Sequence, residues 1–314
     1  MGRPAMAQGR LKRKALVTGA KGFVGRHMAK QLIEDGWDVR QTDILDLPFQ
    51  PNVNRYFEVG VEVFDLVVHC AYHVGGRAGI DGVNLNFIKN MQLDANMFDW
   101  ALRTKQKAVI YFSSSAAYPT LYQEDEPYKL VEDDIDFTGD RTEIMRPDAD
   151  YGWAKLSGER MARAAGANGL RVHVVRPFSG YGEDQALDYP FPSIIQRAKT
   201  GDLSVWGPPG QTRDWIHISD ICKGTLSIYE NDERRPVNLC TGRGVEMGAL
   251  MTLAFNSLPT EVRSNVDTDY KLHYLEDKPT GVFYRVGDPS RMNEHYTAQI
   301  SIEEGIARAL KGGV

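Results

Sequence analysis

Residues 14–43 read KALVTGAKGFVGRHMAKQLIEDGWDVRQTD, and the fold is decided here. "ALVT" (15–18) is a short, β-prone apolar run. After it, Phe23, Val24, Met28, Leu32 and Ile33 recur at helical spacing. Gly36 ends that helix and "DVRQTD" (38–43) opens a second strand, so the stretch predicts a βαβ unit. Gly19, Gly22 and Gly25 stand between strand and helix. The first permits a tight turn, the second lets backbone amides approach a pyrophosphate, and the third allows close helix–strand packing. Glycines also fill ordinary turns; the strand–loop–helix setting gives the triplet its weight. Asp43, at the end of the second strand, is placed to bind the adenosine ribose hydroxyls, and its charge opposes a 2′-phosphate. NAD is therefore the expected cofactor. Lys21 and Arg40 would instead suit NADP, which stays open.

The alternation continues. "DLVVHCAY" (65–72), "AVIYFSSS" (108–115) and "RVHVVRP" (171–177) read as strands. "NFIKNMQLDANMFDWALR" (86–103) and "GWAKLSGERMARAAG" (152–166) read as helices. Strands alternating with helices predict an α/β fold, a Rossmann-type doubly wound parallel sheet covered on both faces. After Gly182 the rhythm breaks: prolines and glycines become frequent around helices at 218–230 and 301–312. We read residues 12–182 as the dinucleotide-binding domain and 183–314 as a smaller C-terminal α/β lobe, some of whose segments return to the sheet. "LYQEDEPYKLVEDDIDFTGD" (121–140) is acidic and aperiodic, and predicts an exposed loop.

Composition excludes several classes. The 314 residues carry a formal net charge of −5 with no basic stripe, which argues against a nucleic-acid partner. The basic "RPAMAQGRLKRK" (3–14) lacks the apolar run of a signal peptide, and no apolar run reaches membrane length. Cys70, Cys222 and Cys240 are scattered without a CxxC spacing. They read as thiols of a reducing cytoplasm, not as a disulfide framework or metal site.

"DADYGWAKLSGE" (148–159) places Tyr151 and Lys155 one helical turn apart. Alone, such a pair describes many solvated helix faces. The order of motifs around it changes that: "TGAKGFVG", "DLVVHCAY", "SSSAAYP", "YGWAK", "RPFSGYG" and then "GPPGQTRDWIHISDIC" (207–222). Over nearly its whole length the chain resembles the extended short-chain dehydrogenase/reductases that act on nucleotide sugars.

The resemblance implies a catalytic set of Ser114, Tyr151 and Lys155. Ser114 lies four residues before Tyr118, with Ser113 and Ser115 as adjacent registers. A tyrosine titrating near pH ~10 is a poor base at neutrality. A neighbouring ammonium and an oxidised nicotinamide favour its phenolate, so that it can take a proton from a sugar hydroxyl as hydride leaves. The implied cofactor contacts are Gly19, Gly22, Phe23, Val24, Gly25, Asp43, Ala71, Asn90, Tyr151, Lys155 and Pro177. The implied substrate contacts are His73, Ser115, Ser179, Arg213 and Arg285. A guanidinium such as that of Arg213 suits a pyrophosphate; Arg285 equally reads as a surface arginine.

Two residues after the serine, 4,6-dehydratases of the family carry glutamate, and GDP-fucose synthase and GDP-mannose 3,5-epimerase carry cysteine. Here Ala116 stands, with nothing to titrate. "HVGGRAGI" (73–80) and "DKPTGVFYRVGDPSR" (277–291) still resemble those GDP-sugar enzymes. The expected function is an NAD-dependent nucleotide-sugar epimerase acting at C4 through a transient 4-keto sugar, with GDP slightly favoured over UDP. The alternatives are an NAD(P)H-dependent 4-keto-sugar reductase, then a 4,6-dehydratase or a non-catalytic dinucleotide sensor. The resemblance also implies a homodimer through helices at 84–104 and 150–166.

Overall fold

In β1 (Lys14–Thr18) Ala15 and Val17 face one apolar cluster and Leu16 the other, the alternation expected of a strand covered on both sides. The computed structural model describes residues 12–43, 53–74, 85–124, 127–138, 145–264, 271–278 and 280–312. Around β1 lie β2 (Asp38–Thr42), β3 (Leu66–His69) and β4 (Val109–Phe112), then β6 (Val172–Pro177) and β10 (Val237–Leu239). They form a six-stranded sheet in the order β10-β6-β4-β3-β1-β2, every pair parallel. Helices α1 (Phe23–Glu34) and α6 (Ile218–Glu230) cover one face; α2 (Asn54–Val59), α3 (Asn86–Arg103) and α4 (Ala149–Ala167) cover the other. The chain reverses its direction of travel between β1 and β3. At that switch the strand ends leave a crevice, the usual ligand site of such sheets.

The remaining strands, β5 (Lys129–Leu130), β7 (Ser179–Tyr181), β8 (Ser204–Trp206), β9 (Thr212–His217), β11 (Gly244–Glu246), β12 (His273–Leu275) and β13 (Tyr284–Gly287), belong to smaller sheets. With α5 (Pro190–Thr200), α7 (Met247–Asn256) and α8 (Ile302–Lys311) they enclose a separate core of Tyr181, Phe191, Trp215, Leu250 and Ile306. The two parts interleave. From beyond residue 182, β10 joins the edge of the main sheet and α6 packs in its core. Among the described residues, no helix is long and apolar enough to cross a membrane.

Two expectations need correction. Ile33 is 52 % exposed, because the buried stripe of α1 runs through Gly25, Met28, Ala29 and Leu32 instead. Within 121–140, β5 pairs with β13, and Glu132 and Asp134 are buried rather than in an exposed loop. Glu132 accepts the Asn238 amide at 2.8 Å and Asp134 the Val131 amide at 2.9 Å. Those backbone donors compensate the burial of acids that composition alone assigns to solvent.

One ion pair ties the helix α4 to the sheet. Arg176 on β6 donates from Nε and Nη2 to the two oxygens of Glu159 on α4, at 2.9 and 2.7 Å, with both side chains buried. Ser113 donates to the same carboxylate, and Arg176 also reaches the Tyr118 hydroxyl and the Glu132 carbonyl. Glu159→Ala leaves the guanidinium buried without its counter-charge and should cost about 3–5 kcal/mol. Glu159→Leu combined with Arg176→Met should cost less than either change alone, and urea unfolding of the set measures the order.

Candidate active site

The glycine loop is built by close approach. Gly19 has φ 65°, and a Cβ there would lie 2.6 Å from the Ala71 nitrogen; one on Gly25 would lie 2.1 Å from the Gly19 oxygen. No side chain fits at either position. Helix α1 starts after Gly22 with no side-chain cap and no acid in its first turn, leaving the Phe23 and Val24 end of the helix suited to an anion. Asp43 is buried and accepts the Lys21 amide at 2.9 Å, which fixes its carboxylate beside the loop. Arg40 is engaged by Glu62 at 3.2 Å. Ala71 donates its amide to Thr18 Oγ1 at 3.2 Å, closing the far wall of the cradle. Cradle, uncapped helix end and strand-end carboxylate together fit a dinucleotide.

Ser114 follows β4 in extended backbone and begins the tight turn 115–117, its Oγ accepting the Ala116 amide at 3.1 Å. Tyr151 sits in the first turn of α4. The chain enters that helix through Ala149, whose φ of 54° is uncommon for a residue with a Cβ. Gly152 then lets the helix touch the serine turn, since a Cβ there would meet the Ala116 carbonyl oxygen at 2.3 Å. The Asp148 amide donates to the same carbonyl at 2.9 Å. This contact places the Ser114 hydroxyl near enough to the Tyr151 phenol to favour its ionised form. Ser113, one register earlier, is spent on Glu159, and Ser115 is buried in the turn.

Burial pushes the Tyr151 phenol up to about 12, while the Ser114 hydrogen bond and the Arg285 charge pull the other way. Burial brings the Lys155 ammonium down to about 8 against the favourable charges of Asp94 and Glu159. Lys155 Nζ donates to the Phe112 carbonyl at 2.7 Å and lies 3.3 Å from the Tyr72 ring centroid and 5.9 Å from that of Tyr151. Beneath it runs a buried chain: Tyr111 donates to Asp94 at 2.7 Å, Asp94 meets His69 at 3.2 Å, and His69 meets Thr18 at 2.9 Å. A phenol, a hydroxyl and an ammonium are thus assembled at the carboxyl ends of β3 and β4.

The other expected residues are placed unevenly. Asn90 accepts the His73 N–H at 2.8 Å and donates one N–H to the His73 carbonyl at 3.1 Å, which holds the loop after β3. Arg213 and Arg285 are register partners on β9 and β13. Arg213 donates to the Val282 and Thr280 carbonyls at 2.7 and 3.1 Å, whereas Arg285 pairs with Asp148 at 2.9 Å and faces the helix start that carries Tyr151. Pro177 and Ser179 lie at the end of β6 and in β7, close to where that lobe joins the main sheet. The loop 75–80 lies outside the described residues. Glu233, Glu294 and His295 offer ligand atoms within 4.8 Å of one another, but the Arg235 guanidinium already pairs both carboxylates. No local pattern singles out Tyr72, Asp94 or Glu159, and only three-dimensional neighbours reveal them.

A dinucleotide cradle with a serine–tyrosine–lysine set at the switch point defines an NAD-dependent enzyme class. The chain matches the NAD dependent epimerase/dehydratase family over residues 15–240, and it belongs to that family. It is 26 % identical over 309 residues to a dTDP-4-dehydro-6-deoxy-D-allose reductase of a Streptomyces species, covering 90 % of each chain. It is 24 % identical over 307 residues to a GDP-mannose 3,5-epimerase of Oryza sativa subsp. indica, covering 88 % of this chain and 75 % of that one. A solved UDP-glucose 4-epimerase of Thermotoga maritima with UDP-glucose superposes with a TM-score of 0.76 at 21 % identity, over 95 % of this chain and 98 % of that one, a likeness of fold.

Gly152→Ala sets a Cβ against the Ala116 carbonyl and forces α4 off the serine turn. It should lower kcat about 10- to 100-fold through misplacement of Tyr151 and cost about 1–3 kcal/mol of stability through overpacking; steady-state kinetics beside thermal melts measure both.

Proposed function

We propose that this chain exchanges hydride at C4 of a nucleotide-linked hexose, and that its net reaction is C4 epimerisation with retained NAD. The observation that carries this reading is Ala116: buried in the serine turn, it puts no acid, base or thiol beside the sugar. Elimination of water or proton abstraction at C3 or C5 needs such a group. Hydride exchange at a carbinol needs only what Ser114, Tyr151 and Lys155 provide.

Bound NAD supplies reversible hydride acceptance at its nicotinamide. Gly19, Gly22 and Gly25 with the Phe23 and Val24 amides would hold its pyrophosphate, and Asp43 its adenosine ribose. Tyr151 takes the proton of the 4-hydroxyl, Ser114 holds that oxygen, and Lys155 favours the phenolate by its charge. The resulting 4-keto sugar turns within the pocket, and Tyr151 returns the proton as hydride adds to the other face. Arg285 and Arg213 are the candidates for the nucleotide diphosphate, and His73, Ser115 and Ser179 for the sugar. A GDP-linked substrate is slightly favoured over a UDP-linked one by the likeness of the 73–80 and 277–291 segments to GDP-sugar enzymes.

A second reading is 4-keto reduction, supported by the relatives named as 4-dehydro-sugar reductases. Denaturing protein purified without added cofactor separates the two. Stoichiometric released NAD, with interconversion of C4 isomers among GDP- and UDP-sugars, supports the epimerase. An empty site and consumption of added reduced dinucleotide on a 4-keto sugar support the reductase. Tyr151→Phe should lower turnover at least 100-fold and spare sugar-nucleotide binding; unchanged turnover would falsify the assignment.

A homodimer is part of the proposal. Ile88 and Leu102 of α3 and Trp153 of α4 are 61, 36 and 46 % exposed on helices that pack side by side. Burying them against a second copy gives a four-helix interface. Ile88→Asp with Trp153→Glu should halve the mass seen by light scattering.

A further inference from the structure

We propose that Tyr72 is a positioning residue that caps the Lys155 ammonium in the dinucleotide-free chain and must yield when the cofactor engages that lysine. The proposal rests on the assignment of Lys155 to the cofactor made above. Its ring centroid lies 3.3 Å from Lys155 Nζ, and the same ring meets Tyr151 edge to face at 5.8 Å and 88°. It therefore borders both side chains on which the proposed chemistry depends. Tyr72 belongs to neither apolar cluster of the main sheet, although Cys70 and Ala71 beside it do. Its buried hydroxyl makes no well-aligned hydrogen bond among the described residues, although the Tyr111 hydroxyl and the Asp94 carboxylate lie near it. The ring face against the cation and the Asn90 clamp on the next residue, His73, help to hold the side chain there.

Lys155 already gives one N–H to the Phe112 carbonyl. With a ring face closing a second approach, one N–H of the three is left, and in the proposal the ring gives way when a cofactor hydroxyl takes the ammonium. A desolvated cation–π contact is then lost on binding, and the cofactor's affinity is lowered by it. A core-filling tyrosine would act in the opposite sense, since its removal would loosen the loop and weaken binding.

The full chain, freed of dinucleotide on charcoal, tests this in two ways. Acetic anhydride labelling of Lys155 is read by peptide mass spectrometry against Lys30, whose side chain is 72 % exposed. NAD affinity is read by calorimetry. Tyr72→Ala should label Lys155 several-fold faster and bind NAD about three- to tenfold tighter. Tyr72→Phe, which keeps the ring, should match wild type in both. Tyr72→Leu fills the volume without a ring face and should follow the alanine variant, which covers a folding defect in the latter. Labelling that Tyr72→Ala and Tyr72→Leu leave unchanged, or NAD binding that they leave equal or weaker, overturns the proposal. A wild-type chain that binds no NAD overturns the cofactor assignment and the competition with it, while faster labelling in the variants would still uphold the cap.

Discussion

Arg176 on β6 and Glu159 on α4 meet through two parallel hydrogen bonds inside the protein, and the position of every proposed catalytic group follows from where they meet. Glu159 is one helical turn beyond Lys155, so pinning it to the sheet sets the height at which the lysine enters the site. The same carboxylate takes the Ser113 hydroxyl, which holds the strand end from which Ser114 projects. A buried pair of this kind contributes little net stability, because its desolvation offsets much of its attraction. Its effect is geometric: a helix that could slide on apolar contacts alone is held in one register.

That register has electrostatic consequences. Lys155 is buried beside Asp94 and Glu159, and burial lowers its proton affinity while the two carboxylates resist the change. Tyr151 is buried too, so its phenol is harder to ionise in the cofactor-free chain than in water. The positive charge of an oxidised nicotinamide would add what the phenolate lacks, which couples proton transfer to the presence of the oxidant. In the proposed reading, Ala116 narrows the chemistry by placing no titratable group beside Ser114.

Much of this was legible in the order of residues. The βαβ opening, the helix 86–103 and the helix 218–230 appear where hydrophobic period and glycine punctuation placed them, because those elements bury continuous stripes against the sheet. The choice of Ser114 over Ser113 and Ser115 was legible only as a spacing; what separates the three is that Glu159 claims one and the turn buries another. The acidic stretch 121–140 misleads for a similar reason. Composition assigns acids to water, yet Asp134 takes the Val131 amide of its own turn and Glu132 the Asn238 amide, which sequence distance conceals. Asn90 also takes partners that the order of residues does not reveal, since its amide bonds the backbone of His73, 17 residues away.

Local periodicity, glycine placement and the order of motifs were sufficient to determine a doubly wound parallel sheet, a dinucleotide loop and a tyrosine–lysine pair one turn apart. Those features depend on near neighbours along the chain, whose spacing a sequence states directly. Which serine faces the tyrosine, which acids are buried and what covers the lysine were decided by tertiary structure. Each depends on pairing between groups far apart in sequence: Arg176 with Glu159, Gly152 against the Ala116 carbonyl, Tyr72 over Lys155. A buried polar group takes whatever partner folding brings to it, and no local pattern encodes that partner.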